Sequence, residues 1–184
     1  PIMAIGYVLG GLIIIFNHLE LVMPALELIF RDAFTGEAVA GGAIGAVIRY
    51  GVARGVFSNE AGMGSAPIAA AAAKTDHPAR QGLVSMTGTF IDTIIVCSIT
   101  GIVLVMGFIM AGNSFGGETG AVLTTHTFNQ LLPGVGGWIV TFGIVFFAYS
   151  TILGWCYYGE KCCTYLLGEK YVLLYRLIYI ASVF

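Results

Sequence analysis

The sequence predicts an all-α integral membrane chain, and three observations carry that prediction. Of its 184 residues, 58% are hydrophobic and only 10% are charged. Soluble domains carry roughly 25% charged residues, and so few charges cannot cover a water-soluble fold of this size. Glycine is abundant at 26 residues, and small residues let membrane helices approach closely. Long uncharged runs also alternate with short polar segments, and a spanning helix needs about 20 predominantly apolar residues. The net charge of −2 gives nucleic-acid binding no electrostatic support.

The elements follow in order. Residues 2–17 form an apolar run that predicts a helix, short for a complete span. Residues 39–73 are too long for one straight crossing. They carry Arg49, Arg54 and Glu60, and their middle reads Phe57-Ser58-Asn59-Glu60-Ala61-Gly62-Met63-Gly64-Ser65-Ala66-Pro67. Such a cluster of Gly, Ser, Asn and Pro breaks helices. The segment is therefore expected as two half-helices joined by an unwound stretch. Residues 83–111 predict a spanning helix with Asp92 inside it. Residues 121–132 predict a short helix on the outer surface, ended by Pro133-Gly134 and too polar to span. Residues 137–158 form the cleanest span, and 171–184 read as the first part of another. The chain opens at Pro1 without a basic leader and stops at Phe184 within an apolar run. A piece of a longer protein is expected.

Loop charges set an orientation. Segment 18–38 holds Glu20, Glu27, Asp32 and Glu37 against Arg31, and segment 112–136 holds Glu118 and no Lys or Arg. Segment 74–82 holds Lys74 and Arg80, while 159–176 holds Lys161, Lys170 and Arg176. Lys and Arg in short loops mark the inner side, so the first pair lies outside and the second inside. Four crossings satisfy that alternation if the broken stretch crosses once.

The broken stretch is the first place to look for chemistry. Backbone that unwinds at membrane depth must be satisfied by protein, water or ligand. Ser58, Asn59, Gly62, Gly64 and Ser65 suit a binding site, because glycine admits a ligand to the backbone and Ser and Asn direct hydrogen bonds. A glycine-rich hinge without a ligand is the plainer reading. Further on, Phe147, Ser150, Thr151, Gly154 and Trp155 share one helical face. The two hydroxyls and the Phe147 carbonyl would offer neutral oxygens to a monovalent cation. From spacing alone, hydroxyls bonded back to the preceding turn or joining helices are the more ordinary reading. Ionisable residues inside a membrane are usually paired, and Arg54 with Glu60 or Asp92 would make an ion pair, either a gate or a static brace.

Other chemistries find little support. Cys97, Cys156, Cys162 and Cys163 form no C-x-x-C pair and have no nearby His, so no metal centre is expected. Cys97 and Cys156 read as small packing residues. His18, His77 and His126 fall in loops or at helix ends, where a proton relay is not expected. No nucleophile–base motif stands out, and the Gly62-Met63-Gly64 run is too short for a nucleotide loop. No enzyme is expected, and no organic cofactor.

The segment from Gly51 to Pro67 closely resembles the most distinctive motif of the alanine or glycine:cation symporter family. His77-Pro78, Gln81-Gly82, Phe90-Ile91-Asp92-Thr93 and the run from Phe147 to Glu160 are similar to that family too, and the likeness covers essentially the whole chain. The resemblance implies a fragment of the LeuT-like five-plus-five inverted-repeat fold of the amino acid–polyamine–organocation superfamily, from about the fifth helix to the start of the ninth. It implies import of alanine or glycine with Na⁺, sometimes H⁺, by alternating access in the cell membrane.

By the same resemblance, Phe57, Ser58, Asn59 and Gly62 would contact the amino acid, and Trp155 would line the pocket. Ser150, Thr151 and the Phe147 carbonyl would form the eighth-helix half of the sodium site. The remaining ligands would come from first-repeat helices outside this sequence. Two other readings stay open: a carrier of another solute or one coupled to H⁺, and a membrane scaffold or sensor that keeps the fold without transporting.

Overall fold

The computed structural model describes residues 2–34, 59–60, 63–112 and 120–183. The described residues contain helices and no strand. Helix α1 is Ile2–Asn17 and α2 is Leu19–Phe34, with a 102° bend between them. Residues 60 and 63–65 are turn and irregular backbone, referred to as the break, and the short α3, Ala66–Ala70, follows them. Helix α4 runs Pro78–Met110, α5 Gly120–Leu131 and α6 Gly136–Leu167. A 3₁₀ turn, Glu169–Tyr171, leads into α7, Val172–Val183.

Local chemistry accounts for the boundaries. His77 caps α4, its Nδ1 accepting the Ala79 N–H at 3.2 Å, and Pro78 occupies the first turn, where its missing N–H costs nothing. The helix stops at Gly112, whose φ of 70° suits a left-handed terminator. Inside α4, Ile91–Cys97 form π-helical turns.

Segment 18–38 was weighed above by its charges, as an outer loop. Its described part is mostly helix α2. Leu21 and Val22 pack against the core and Ala25 is fully buried in it, while Glu20 and Glu27 face out. This amphipathic spacing lays the helix across the bundle. At the far end, α6 continues nine residues beyond the predicted Tyr158, to Leu167. At 1.5 Å per residue its 32 residues reach about 48 Å, well past a hydrocarbon core of about 30 Å.

The core sits where α1, α2, α4, α5 and α6 converge. Ile14, Ala25, Val103, Met106 and Phe128 are fully buried, with Ile99, Leu131 and Val140 beside them. Tyr7 stacks on Phe128 at 5.4 Å and shares a 2.9 Å hydrogen bond with Thr100. Close approach depends on glycine at two crossings. A β-carbon on Gly11 would strike Ile99, and one on Gly107 would strike Thr127.

Helix α7 folds back on the C-terminal half of α6. The Tyr179 hydroxyl donates to the Ile152 carbonyl at 2.9 Å, and Arg176 pairs with Glu160 at 2.8 Å. All four cysteines are free thiols. Cys97 was expected as a packing residue; it is exposed on α4.

Candidate functional site

The break is held by two neighbouring side chains. Asn59 and Glu60 are both half-buried. Asn59 Oδ1 accepts the Thr93 hydroxyl at 3.0 Å, which ties the break to the π turns of α4. Glu60 Oε2 accepts the Ser65 hydroxyl at 2.8 Å, and its Oε1 accepts the Tyr158 hydroxyl of α6 at 3.4 Å. Ser65 is buried at 6% exposure, so its hydroxyl needs this partner. The φ of Glu60 is 52°, the one positive φ among the described non-glycine residues. That turn in the backbone lets consecutive side chains reach two different helices. Helix α3, just beyond the break, packs on α6.

Helix α6 carries the other candidates. Trp155 is half-buried and meets Tyr158 edge-on at 5.9 Å. The Ser150 hydroxyl donates to the Phe147 carbonyl at 3.0 Å, the back-bonded geometry common for hydroxyls in apolar helices. Two of the three expected cation oxygens therefore face each other one turn apart. Ser150, Thr151 and Phe147 are exposed on this chain. Ser150 opens onto an apolar groove of about 640 Å³ between α1 and α6, lined also by Tyr7, Phe146 and Tyr149.

Several sequence-predicted positions lie outside the described residues: Phe57, Ser58 and Gly62 of the substrate set, Arg54 of the ion pair, Arg49, and most of the expected broken helix 39–73. Within the described residues, Glu60 engages the two hydroxyls named above. Neither Thr93 nor Tyr158 was assigned a role from sequence, though both stand in the motifs quoted. The signal for Tyr158 was the carboxylate of Glu60, since an acid inside a membrane protein needs hydrogen-bond donors; for Thr93, bonded to the Asn59 amide, the only signal was a hydroxyl in an apolar run.

Long apolar helices, with polar residues of 59–65 bonded to two of them, mark a polytopic membrane protein. Its sequence matches the model of the sodium:alanine symporter family over residues 1–184, and it belongs to that family. Its relatives include the sodium/alanine symporter AgcS of Methanococcus maripaludis, 56% identical over 184 residues, covering 100% of this chain and 40% of the relative. The putative sodium/proton-dependent alanine carrier YrbD of Bacillus subtilis is 37% identical over 198 residues, covering 100% of this chain and 41% of the relative. The probable sodium/glutamine symporter GlnT of the same organism is 36% identical over 188 residues, covering 99% and 38%. The chain thus spans about two fifths of the length of these relatives.

Proposed function

We propose that this chain forms part of a secondary active transporter that carries a small neutral amino acid, alanine or glycine, together with Na⁺. The observation that supports this reading is the family match over the whole chain, with the M. maripaludis relative of 56% identity named for sodium and alanine. The geometry is compatible with it. A broken segment is bonded to two long helices at once, and broken helices in transporters turn half-helix ends and free carbonyls toward substrate and ion.

In this reading the amino acid binds at the break, around Phe57, Ser58, Asn59 and Gly62, with Trp155 closing the pocket. Ser150, Thr151 and the Phe147 carbonyl take the cation. First-repeat helices of the longer protein complete both sites, in a five-plus-five inverted-repeat fold. Ion and amino acid bind near the bilayer midplane, the outer gate closes, and the inner side opens. The entering charge contributes about 2.3 kcal/mol per 100 mV of membrane potential.

The name of GlnT supports a second reading, transport of a larger amide-bearing amino acid. That of YrbD supports proton coupling. One experiment separates them: uptake of labelled alanine by proteoliposomes of the full-length protein containing this chain. It is run with and without a sodium gradient, with glycine, leucine and glutamine as competitors, and with Thr151→Val in parallel. Sodium-driven uptake, blocked by glycine and lost in Thr151→Val, is expected. Uptake indifferent to sodium and to Thr151 overturns the sodium assignment. Competition by glutamine alone overturns the substrate.

A further inference from the structure

Among the described residues, Glu60 makes two bonds of unequal character. The 2.8 Å bond from Ser65 closes a loop of the break on itself. The bond from Tyr158 crosses to α6 and is longer, at 3.4 Å. A bond of that length is the weaker of the two, so it is the one that can form and release while the loop stays closed. Glu60 also holds a left-handed backbone, with φ of 52°. A side chain keeps such a conformation only where its surroundings hold it.

The position of Tyr158 gives this contact meaning. It lies seven residues beyond Thr151 and three beyond Trp155, so the three share one face of α6. The same face therefore carries a proposed cation hydroxyl, the proposed pocket wall and the donor that reaches the break. On the other side, the residue preceding Glu60 is Asn59, bonded to Thr93 of α4.

We propose that Glu60 is a positioning residue linking the two ligand sites: its carboxylate, bonded to Ser65 within the break and to Tyr158 on α6, transmits cation occupancy on α6 to the amino-acid site in the break. The inference rests on the symport reading above. Each oxygen of a carboxyl group can accept from a hydroxyl, so the two oxygens of Glu60 suit these two donors. If the Tyr158 bond is stronger with the cation bound, the ion raises affinity for the amino acid. By linkage the amino acid then raises affinity for the ion by the same factor.

The test is equilibrium binding of labelled alanine to the purified full-length protein at limiting and saturating Na⁺. The variants are Tyr158→Phe, Glu60→Gln and the double. Tyr158→Phe keeps the ring that meets Trp155 and removes only the donor. In the wild type, sodium is expected to lower the alanine Kd by a coupling factor in the usual range of about 5–150-fold. Tyr158→Phe is expected to reduce that factor by up to about tenfold, the scale of one hydrogen bond. Glu60→Gln keeps an oxygen that can accept the Tyr158 hydroxyl and loses only the charge, so it is expected to reduce the factor less. The double is expected to go no further than Tyr158→Phe, because without that hydroxyl residue 60 has lost its donor on α6. Glu60→Asp is expected to restore part of the factor. An unchanged factor in Tyr158→Phe overturns the proposal and leaves Glu60 a static brace, as does a double variant whose losses multiply. Should Glu60→Gln fail to fold, Tyr158→Phe decides alone. A wild type whose alanine Kd ignores sodium overturns the symport reading instead.

Discussion

His18 Nε2 donates to the carbonyl of Leu131 at 3.0 Å, across 113 residues of chain. The histidine stands at the bend between α1 and α2, and Leu131 ends α5. The last carbonyls of a helix have no partner inside it, so this bond caps α5 from a distance and fixes the corner against the core. His18→Ala is expected to lower stability by about 1 kcal/mol. His18→Gln, which can place an amide N–H near the same point, is expected to recover most of it. Thermal unfolding of the full-length protein in detergent measures both.

The turn between α5 and α6 is built around Gly136. A β-carbon there would collide with the backbone carbonyl of Phe128, which cannot swing aside as a flexible side chain would. Gly136→Ala is expected to destabilise by about 2 kcal/mol, within the usual cost of overpacking. Gly6, also helical, has open space around its would-be β-carbon. Gly6→Ala is expected to be neutral or slightly stabilising. The same unfolding assay distinguishes the pair.

The hydroxyl of Thr93 holds Asn59. Thr93→Val keeps shape and removes the donor. It is expected to lower the efficiency of alanine uptake about threefold to tenfold, the worth of one neutral hydrogen bond. Thr93→Ser is expected to stay close to wild type. Initial uptake rates in proteoliposomes at fixed sodium are the measurement.

Trp155 faces the same side of α6 as Tyr158 and Thr151. If it closes a small pocket, Trp155→Ala opens room for larger side chains. Leucine, expected to compete poorly with alanine in the wild type, is expected to gain at least about tenfold in potency, the scale of one or two added methylenes in an apolar pocket. Glycine is expected to lose potency. Competition curves check the direction of both shifts.

How much of this was legible in the sequence depends on the kind of signal each feature leaves. Charge content and apolar runs speak directly to the membrane class, because a bilayer leaves no other way to satisfy backbone groups than helices or a closed barrel. The long motifs from Gly51 to Pro67 and from Phe147 to Glu160 carried the family. Rotation and partner choice left no such trace. Thr93 reaches Asn59 across 34 residues, and Tyr158 reaches Glu60 across 98; hydropathy cannot say which way a hydroxyl points around a helix. Helix α2 was obscured for another reason. Its acidic residues were counted as loop charge, though Leu21, Val22 and Ala25 mark a buried face beside them. The π turns at Ile91–Cys97 read as ordinary apolar helix, since no residue type announces them.

Those π turns set the two ends of α4 independently. A π turn holds one residue more than an α turn, and one residue corresponds to about 100° of rotation around a helix. Thr93 addresses the polar break, while Ile99, Val103 and Met106, just beyond, address the apolar core. With a uniform α winding, aligning one set would swing the other away. The extra residue works like an offset keyway on a shaft: it lets a single rod engage two mates whose bearings differ. Deleting one residue between 94 and 97 is therefore expected to misalign either the break or the core.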